Sequence, residues 1–167
     1  QLAEQHRIVH AIEEHFTRIE AGMRSVSAAR RRVGQLRVAL LDRATDGNWP
    51  SRPLGEILDL LRNGCFVSRP GVGPPGVPIF RISAVRPLHL VENDIRYADV
   101  EAAEHEDYFV HEGDLLFTRY SGSPDYVGAC AVVPPMSSRV LHPDKLIRAV
   151  VDPAQADPWY VAAYLTA

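Results

Sequence analysis

The sequence predicts an α+β protein made of two unlike parts. Residues 1–46 form a long N-terminal coiled-coil helix, and residues 47–167 a mixed α/β unit with a curved, mostly antiparallel sheet. Three observations carry this expectation. Proline is absent before Pro50 and frequent after it, so the composition breaks near Gly47-Asn48-Trp49-Pro50. Apolar residues of the first part recur at steps of three and four, the period of a helix with one apolar seam. In the second part, short apolar runs alternate with turn-forming residues, the pattern of a small sheet.

The seam of the helix runs through Val9, Ile12, Phe16, Ile19, Met23 and Val26. Continued in register, it meets Arg30 and Arg37. A cleaner stripe, Ala29, Val33, Leu36 and Leu40, continues one position earlier. A slip of this kind is a stammer, which overwinds a coiled coil locally. Some forty residues at about 1.5 Å each make a rod about 60 Å long. Such a rod cannot bury its stripe on itself and calls for a partner helix, from the same chain or from a second copy. Packing of the helix on its own small domain is the alternative. Arg30, Arg31 and Arg32, with Arg37 and Arg43, give the rod a basic end, either a solvated face or a contact for phosphate or an acidic partner.

In the second part, Leu54 to Leu61 is expected as a short helix that stops at Asn63-Gly64. Gly71 to Pro78 is a glycine- and proline-rich loop feeding a strand. Val77 to Ser83 and Tyr108 to Val110 are strand-like, and Leu115 to Arg119, Val127 to Val133 and Leu146 to Val151 are stronger strands. Asp157-Pro158-Trp159 opens a closing helix, with aspartate as its cap and proline in its first turn.

The 167 residues are 46% hydrophobic, ordinary for a folded protein, and carry a net charge of −3. No apolar run matches a membrane span, so no membrane partner and a cytoplasmic location are expected. Cys65 and Cys130 suit two packed thiols of an intracellular protein, a single disulfide being the other option. Both ends look cut, as in a piece of a longer chain. Acids crowd between Glu92 and Asp114, which favours a protein-binding role unless the cations gather on another face. A catalytic constellation is missing. His6 and His10, followed by Glu13 and Glu14, have a metal-binding spacing but no third ligand. His111-Glu112 lacks the second histidine of a zinc protease, Asp144-Lys145 lacks the partner acid of a nuclease, and Gly71-Val72-Gly73-Pro74 lacks the lysine of a phosphate loop. No bound metal or cofactor is expected.

Several stretches resemble one family. "LAEQHRIVHAIEEHF" at Leu2 to Phe16 is similar to the start of the conserved spacer helix in specificity subunits of type I restriction–modification systems. "PLGEIL" at Pro53 to Leu58, "VPIFRISAV" at Val77 to Val85, "EGDLLFTRYSGSPDYVG" at Glu112 to Gly128, "PDKLIRAVVD" at Pro143 to Asp152 and "DPWYVAAYLTA" at Asp157 to Ala167 resemble the target recognition domain that follows it. The resemblance implies a non-catalytic subunit whose two recognition domains, held apart by two antiparallel helices, each read half of a bipartite site in double-stranded DNA. It implies adenine methyltransferase subunits that use S-adenosylmethionine, and restriction subunits that use ATP and Mg, as partners. This chain departs from a complete subunit in lacking a first recognition domain and a second helix. The partner of its seam is therefore either that second helix or another copy of the chain.

The run Arg119-Tyr120-Ser121-Gly122-Ser123 follows an apolar strand. Arg119 can present its fork to guanine or to phosphate, Tyr120 offers a flat surface, and Ser121, Gly122 and Ser123 let the backbone approach a phosphate closely. The alternative is structural, with Arg119 paired to Asp114 or Asp125 and Tyr120 capping the core. Asn63, Arg69, Arg81, Ser83 and Arg86 are candidates for choosing the sequence, and Lys145 and Arg148 for phosphate.

Overall fold

A computed structural model describes residues 2–47 and 50–166, and the chain divides into two compact units after Asp46. Asn48 and Trp49 of the expected boundary lie outside the described residues.

The first unit is one helix, α1 (Leu2–Thr45), 44 residues long, which at 1.5 Å each is about 66 Å. Ion pairs Arg7–Glu4, Arg18–Glu14 and Arg24–Glu20 run along it. Exposed pairs of this kind contribute at most about 0.5 kcal/mol each, so they do not hold the helix alone. The seam residues Val9, Ile12, Phe16, Ile19, Met23, Val26, Val33, Leu36 and Leu40 are all exposed, from 48% at Ile12 to 67% at Val33.

The second unit opens with one 3-10 turn, Leu54–Glu56, and then β1 (Leu58–Asn63). The short helix expected through Leu61 is therefore a turn and a strand. The run Ile-Leu-Asp-Leu-Leu fits either period, and pairing with a distant strand decides it. Leu58 and Leu60 turn inward while Asp59, Leu61 and Asn63 face solvent. Gly64 is not a helix stop. A Cβ there would stand 2.1 Å from the Pro143 carbonyl oxygen and 2.3 Å from that of His142, so only glycine fits.

The strands that follow are β2 (Val77–Phe80), β3 (Val85–Arg86), β4 (His89–Leu90), β5 (Ile95–Ala98), β6 (Leu115–Thr118), β7 (Cys130–Val132) and β8 (Leu146–Val151). They form three sheets instead of one: a four-stranded sheet in the order β1-β8-β6-β7, and the pairs β2-β5 and β3-β4. All these pairings are antiparallel. Several expected strands are shorter than their apolar runs. Ile82–Ala84 forms a 3-10 turn that ends the second strand at Phe80. Tyr108 closes a 3-10 segment, Ala102–Tyr108, and Phe109 adds a single bridge to Leu141. Val127 caps another 3-10 turn, and Gly128 adopts a φ of +76°, outside the reach of most side chains.

The four-stranded sheet is buried on both faces. Leu116, Ala131 and Leu146 pack with Phe80, Val85, Val133 and Val140 on one face. Leu115, Cys130, Ala149 and Val151 pack on the other, against Val161 and Ala162 of α2 (Pro158–Thr166). Burial on both sides explains the unbroken Leu115-Leu116-Phe117 run. The Asp157 carboxylate caps α2, accepting from the Trp159 and Tyr160 N–H groups at 2.7 and 3.1 Å. Leu141 joins the β2-β5 pair to the segment before β8 by exchanging hydrogen bonds with Pro78 and Phe80. Cys65 and Cys130 are free and buried, and burial pushes the Cys130 thiol up to about 12. No described helix is long and apolar enough to cross a membrane.

Candidate nucleic-acid interface

The antiparallel order brings the end of β6, the start of β8 and the end of β1 to one rim of the sheet. Thr118 pairs with Leu146, and one residue further the Arg119 N–H donates to the Lys145 carbonyl at 3.0 Å. Two cations are thus neighbours just beyond the ends of adjacent strands. Asn63 pairs with Ile147, and the Gly64 N–H donates to the Leu146 carbonyl at 3.1 Å, which sets Asn63 beside them. Asn63, Arg119 and Lys145 are all exposed.

The loop after Arg119 is pinned at its base. Two backbone hydrogen bonds join Thr118 to the segment Gly128–Ala129: the Gly128 N–H donates to Thr118 O at 2.9 Å, and the Thr118 N–H donates to Ala129 O at 3.0 Å. The Thr118 hydroxyl donates to the Tyr126 carbonyl. Pro124–Tyr126 is a 3-10 turn, and the Ser121 hydroxyl accepts from the Ser123 N–H at 3.2 Å. Arg86 of β3 lays its guanidinium 4.6 Å from the centre of the Tyr126 ring, a cation–π contact that braces the far side of the loop. Tyr120 is 48% exposed and does not cap the core.

Four of the nine acids from Glu92 to Asp114 pair with arginines of the same unit. Asp94 pairs with Arg81 at 3.0 Å, Asp107 with Arg62 at 2.8 Å, Glu106 with Arg139, and Asp114 with Arg148 at 2.6 Å. Arg139 holds the Glu106 carboxyl below the usual carboxylate range. Among the described residues, no side chain pairs with Arg119 or Lys145. Neither proposed structural partner of Arg119 is used: Asp114 holds Arg148, and Asp125 accepts from the Ser123 hydroxyl at 3.5 Å.

The structure divides the expected site residues. Arg119, Tyr120, Ser121, Gly122, Ser123, Asn63 and Lys145 share the rim or its loop, and Arg86 touches that loop. Arg81 and Ser83 are both tied to the Asp94 carboxylate. Arg69 is exposed on the loop before β2, with a left-handed φ of 48°, and has no bond to the rim. Arg148 is corrected. It is 8% exposed and its Nε and Nη2 are spent on Asp114, so it is a buried structural cation and not a phosphate contact. Sequence reasoning also passed over two aromatics here, Tyr126 under Arg86 and Phe66, 77% exposed beyond the end of β1. Their only sequence signal is an aromatic within a turn-forming stretch.

His142 is fully buried below the rim, with Nδ1 2.7 Å from the Tyr108 carbonyl and Nε2 without a partner. Burial pulls its pKa down, so the ring is neutral and Nδ1–H donates. Among the described residues, no three histidine, cysteine or acidic side chains gather as a metal site.

No family model matches the chain. Over 95 residues it is 45% identical to the Type I restriction enzyme EcoKI specificity subunit of Escherichia coli (strain K12), a match covering 56% of this chain and 20% of that subunit. Two solved structures share the fold. One, from work on complex assembly and conformational transition of the type I R-M system, aligns with a TM-score of 0.62 at 19% identity over 99% of this chain and 42% of the other. The second, the HsdS subunit from Thermoanaerobacter tengcongensis, aligns at 0.52 and 17% over 98% of this chain and 40% of the other. The family that the sequence motifs resemble is thus the one in which the 45% identical relative stands, and the solved structures agree with it in fold.

Proposed function

We propose, from this similarity to type I specificity subunits, that residues 47–167 form a target recognition domain that reads one half of a bipartite DNA site. The observation that carries the proposal is the pair Arg119 and Lys145, adjacent on a rigid sheet rim and free of acid partners beside a pinned loop. Lys145 meets a phosphate. Arg119 meets a phosphate or the O6 and N7 acceptors of guanine. Backbone N–H groups from Ser121 to Ser123 meet the neighbouring phosphate, and Asn63 lies within the same footprint. The helix α1 is the spacer. Its exposed seam pairs with a second long helix, of the same subunit or of another copy, and the rod sets the distance between half-sites. The chain is non-catalytic. Its partners are methyltransferase subunits, which supply S-adenosylmethionine chemistry, and restriction subunits, which use ATP and Mg. Asp94, Glu106, Asp107 and Asp114 of the acidic stretch are committed to arginines of the same unit, which weakens the case for that stretch as a docking surface.

The test exchanges residues 53–167 within the full-length subunit for the equivalent domain of a relative. The subunit is co-expressed with its methyltransferase, and methylated adenines are mapped by sequencing. One half of the motif should change while the other stays; an unaltered motif sinks the proposal. The double variant Arg119→Ala, Lys145→Ala should lower the salt dependence of DNA binding by about one phosphate contact if Arg119 reads guanine and about two if it meets a phosphate.

A further inference from the structure

We infer that Phe66 is a base-contacting residue of the same interface, an apolar side chain that packs on the bases next to the footprint of Arg119 and Lys145. This rests on the DNA-reading proposal above. Phe66 is 77% exposed, against 54% for Trp159 and Tyr164. The chain leading to Phe66 is anchored. The Gly64 N–H donates to Leu146 O at 3.1 Å, the Cys65 N–H donates to His142 O at 3.1 Å, and Cys65 O accepts from the Asp144 N–H at 2.8 Å. The Cys65 side chain is 5% exposed and sits in the core with Ile79, Phe109 and Leu141. The residue before Phe66 is therefore locked on both its backbone and its side chain, and the requirement for glycine at position 64 shows how tightly that segment lies on residues 142–143.

The same segment that holds Cys65 leads directly to Lys145, whose carbonyl binds the Arg119 N–H. An exposed phenyl group carried on chain anchored at Cys65, next to the segment that leads to Lys145, suits a polyanion that also offers apolar surface. Double-stranded DNA does so, through thymine methyl groups in the major groove and through base faces at an opened step.

The test uses the full-length subunit assembled with its methyltransferase, and duplexes carrying either the mapped site or a scrambled one. Phe66→Ala should weaken binding to the mapped site about tenfold, the scale of one lost base contact, with scrambled-duplex affinity and salt dependence unchanged. Phe66→Leu should keep part of the loss from appearing. Uracil in place of a contacted thymine weakens the unmodified protein but not Phe66→Ala if the contact is to the methyl group. A 2-aminopurine signal that rises with the unmodified protein and stays flat with Phe66→Ala marks stacking at an opened step. If Phe66→Ala binds the mapped site normally while Arg119→Ala, Lys145→Ala does not, the inference about Phe66 fails and the DNA reading stands. If neither variant changes binding, the reading itself fails. Lost methyltransferase assembly with unaltered DNA affinity makes Phe66 a protein contact and also overturns the inference. Because the side chain lies outside the core, both variants should unfold at the temperature of the unmodified protein.

Discussion

Replacing Asp114 by alanine tests the reassignment of Arg148. The Asp114 carboxylate accepts from Arg148 Nε at 2.6 Å, from Arg148 Nη2 at 3.4 Å and from the His111 N–H at 2.6 Å. The two side chains are 4% and 9% exposed. Asp114→Ala leaves a guanidinium inside the unit with no anion, retaining only a long bond to the Asp107 carbonyl and a contact with His111 Nδ1. Breaking a buried ion pair in this way costs about 3–5 kcal/mol. That is a large fraction of the roughly 5–15 kcal/mol that holds a domain together. For a unit of this size it lowers Tm by about 10 °C or more. Scanning calorimetry of the chain reads the loss directly. The double variant Asp114→Leu, Arg148→Met removes both charges and should recover most of it, because the cost lies in the unmatched charge. A loss below about 1 kcal/mol for Asp114→Ala would show that water already screens the pair. Arg148 would then return as a phosphate candidate, and a fall of about one in the salt slope for Arg148→Met would refute the reassignment.

Gly64→Ala should cost about 3 kcal/mol, the upper part of the range for overpacking, because its Cβ meets backbone carbonyls that cannot turn away; urea titration measures it. His142 makes stability depend on pH. Its folded pKa lies below its ordinary value of 6.5 because of burial, so the unfolded chain takes up a proton first as pH falls. The contribution is complete above about pH 6.5 and is lost as pH drops from there toward the folded value. His142→Gln should flatten that part of the profile, and identical slopes in the two proteins would exclude the effect. Cys130, held near 12, should resist iodoacetamide at pH 8 until the chain unfolds, as read by mass spectrometry. Val26→Asp places a charge in the exposed seam of α1 and should lower the mass seen by light scattering if the helix self-associates.

Local chemistry made much of this protein legible in its sequence. The long helix follows from a proline-free heptad pattern, because helix period and side-chain spacing are properties of neighbouring residues. The cap at Asp157 and the strand Leu146–Val151 follow for the same reason. Arg119 and its small-residue loop were visible as a candidate because a cation at a strand end needs no distant partner to be noticed. Other features had no local signal. Leu58–Asn63 became a strand only because β8 lies beside it, and β3 and β4, two residues each, are too short for any period to show.

Tertiary structure alone sorted the charges. In sequence, Arg148 and Lys145 are three residues apart and equally suited to phosphate. Folding carries Arg148 onto Asp114, 34 positions away, and leaves Lys145 on the rim next to Arg119. A charge keeps its value for a ligand only when no opposite charge is folded against it. Which acids meet which arginines depends on strand order and register, and those emerge only when the whole sheet closes.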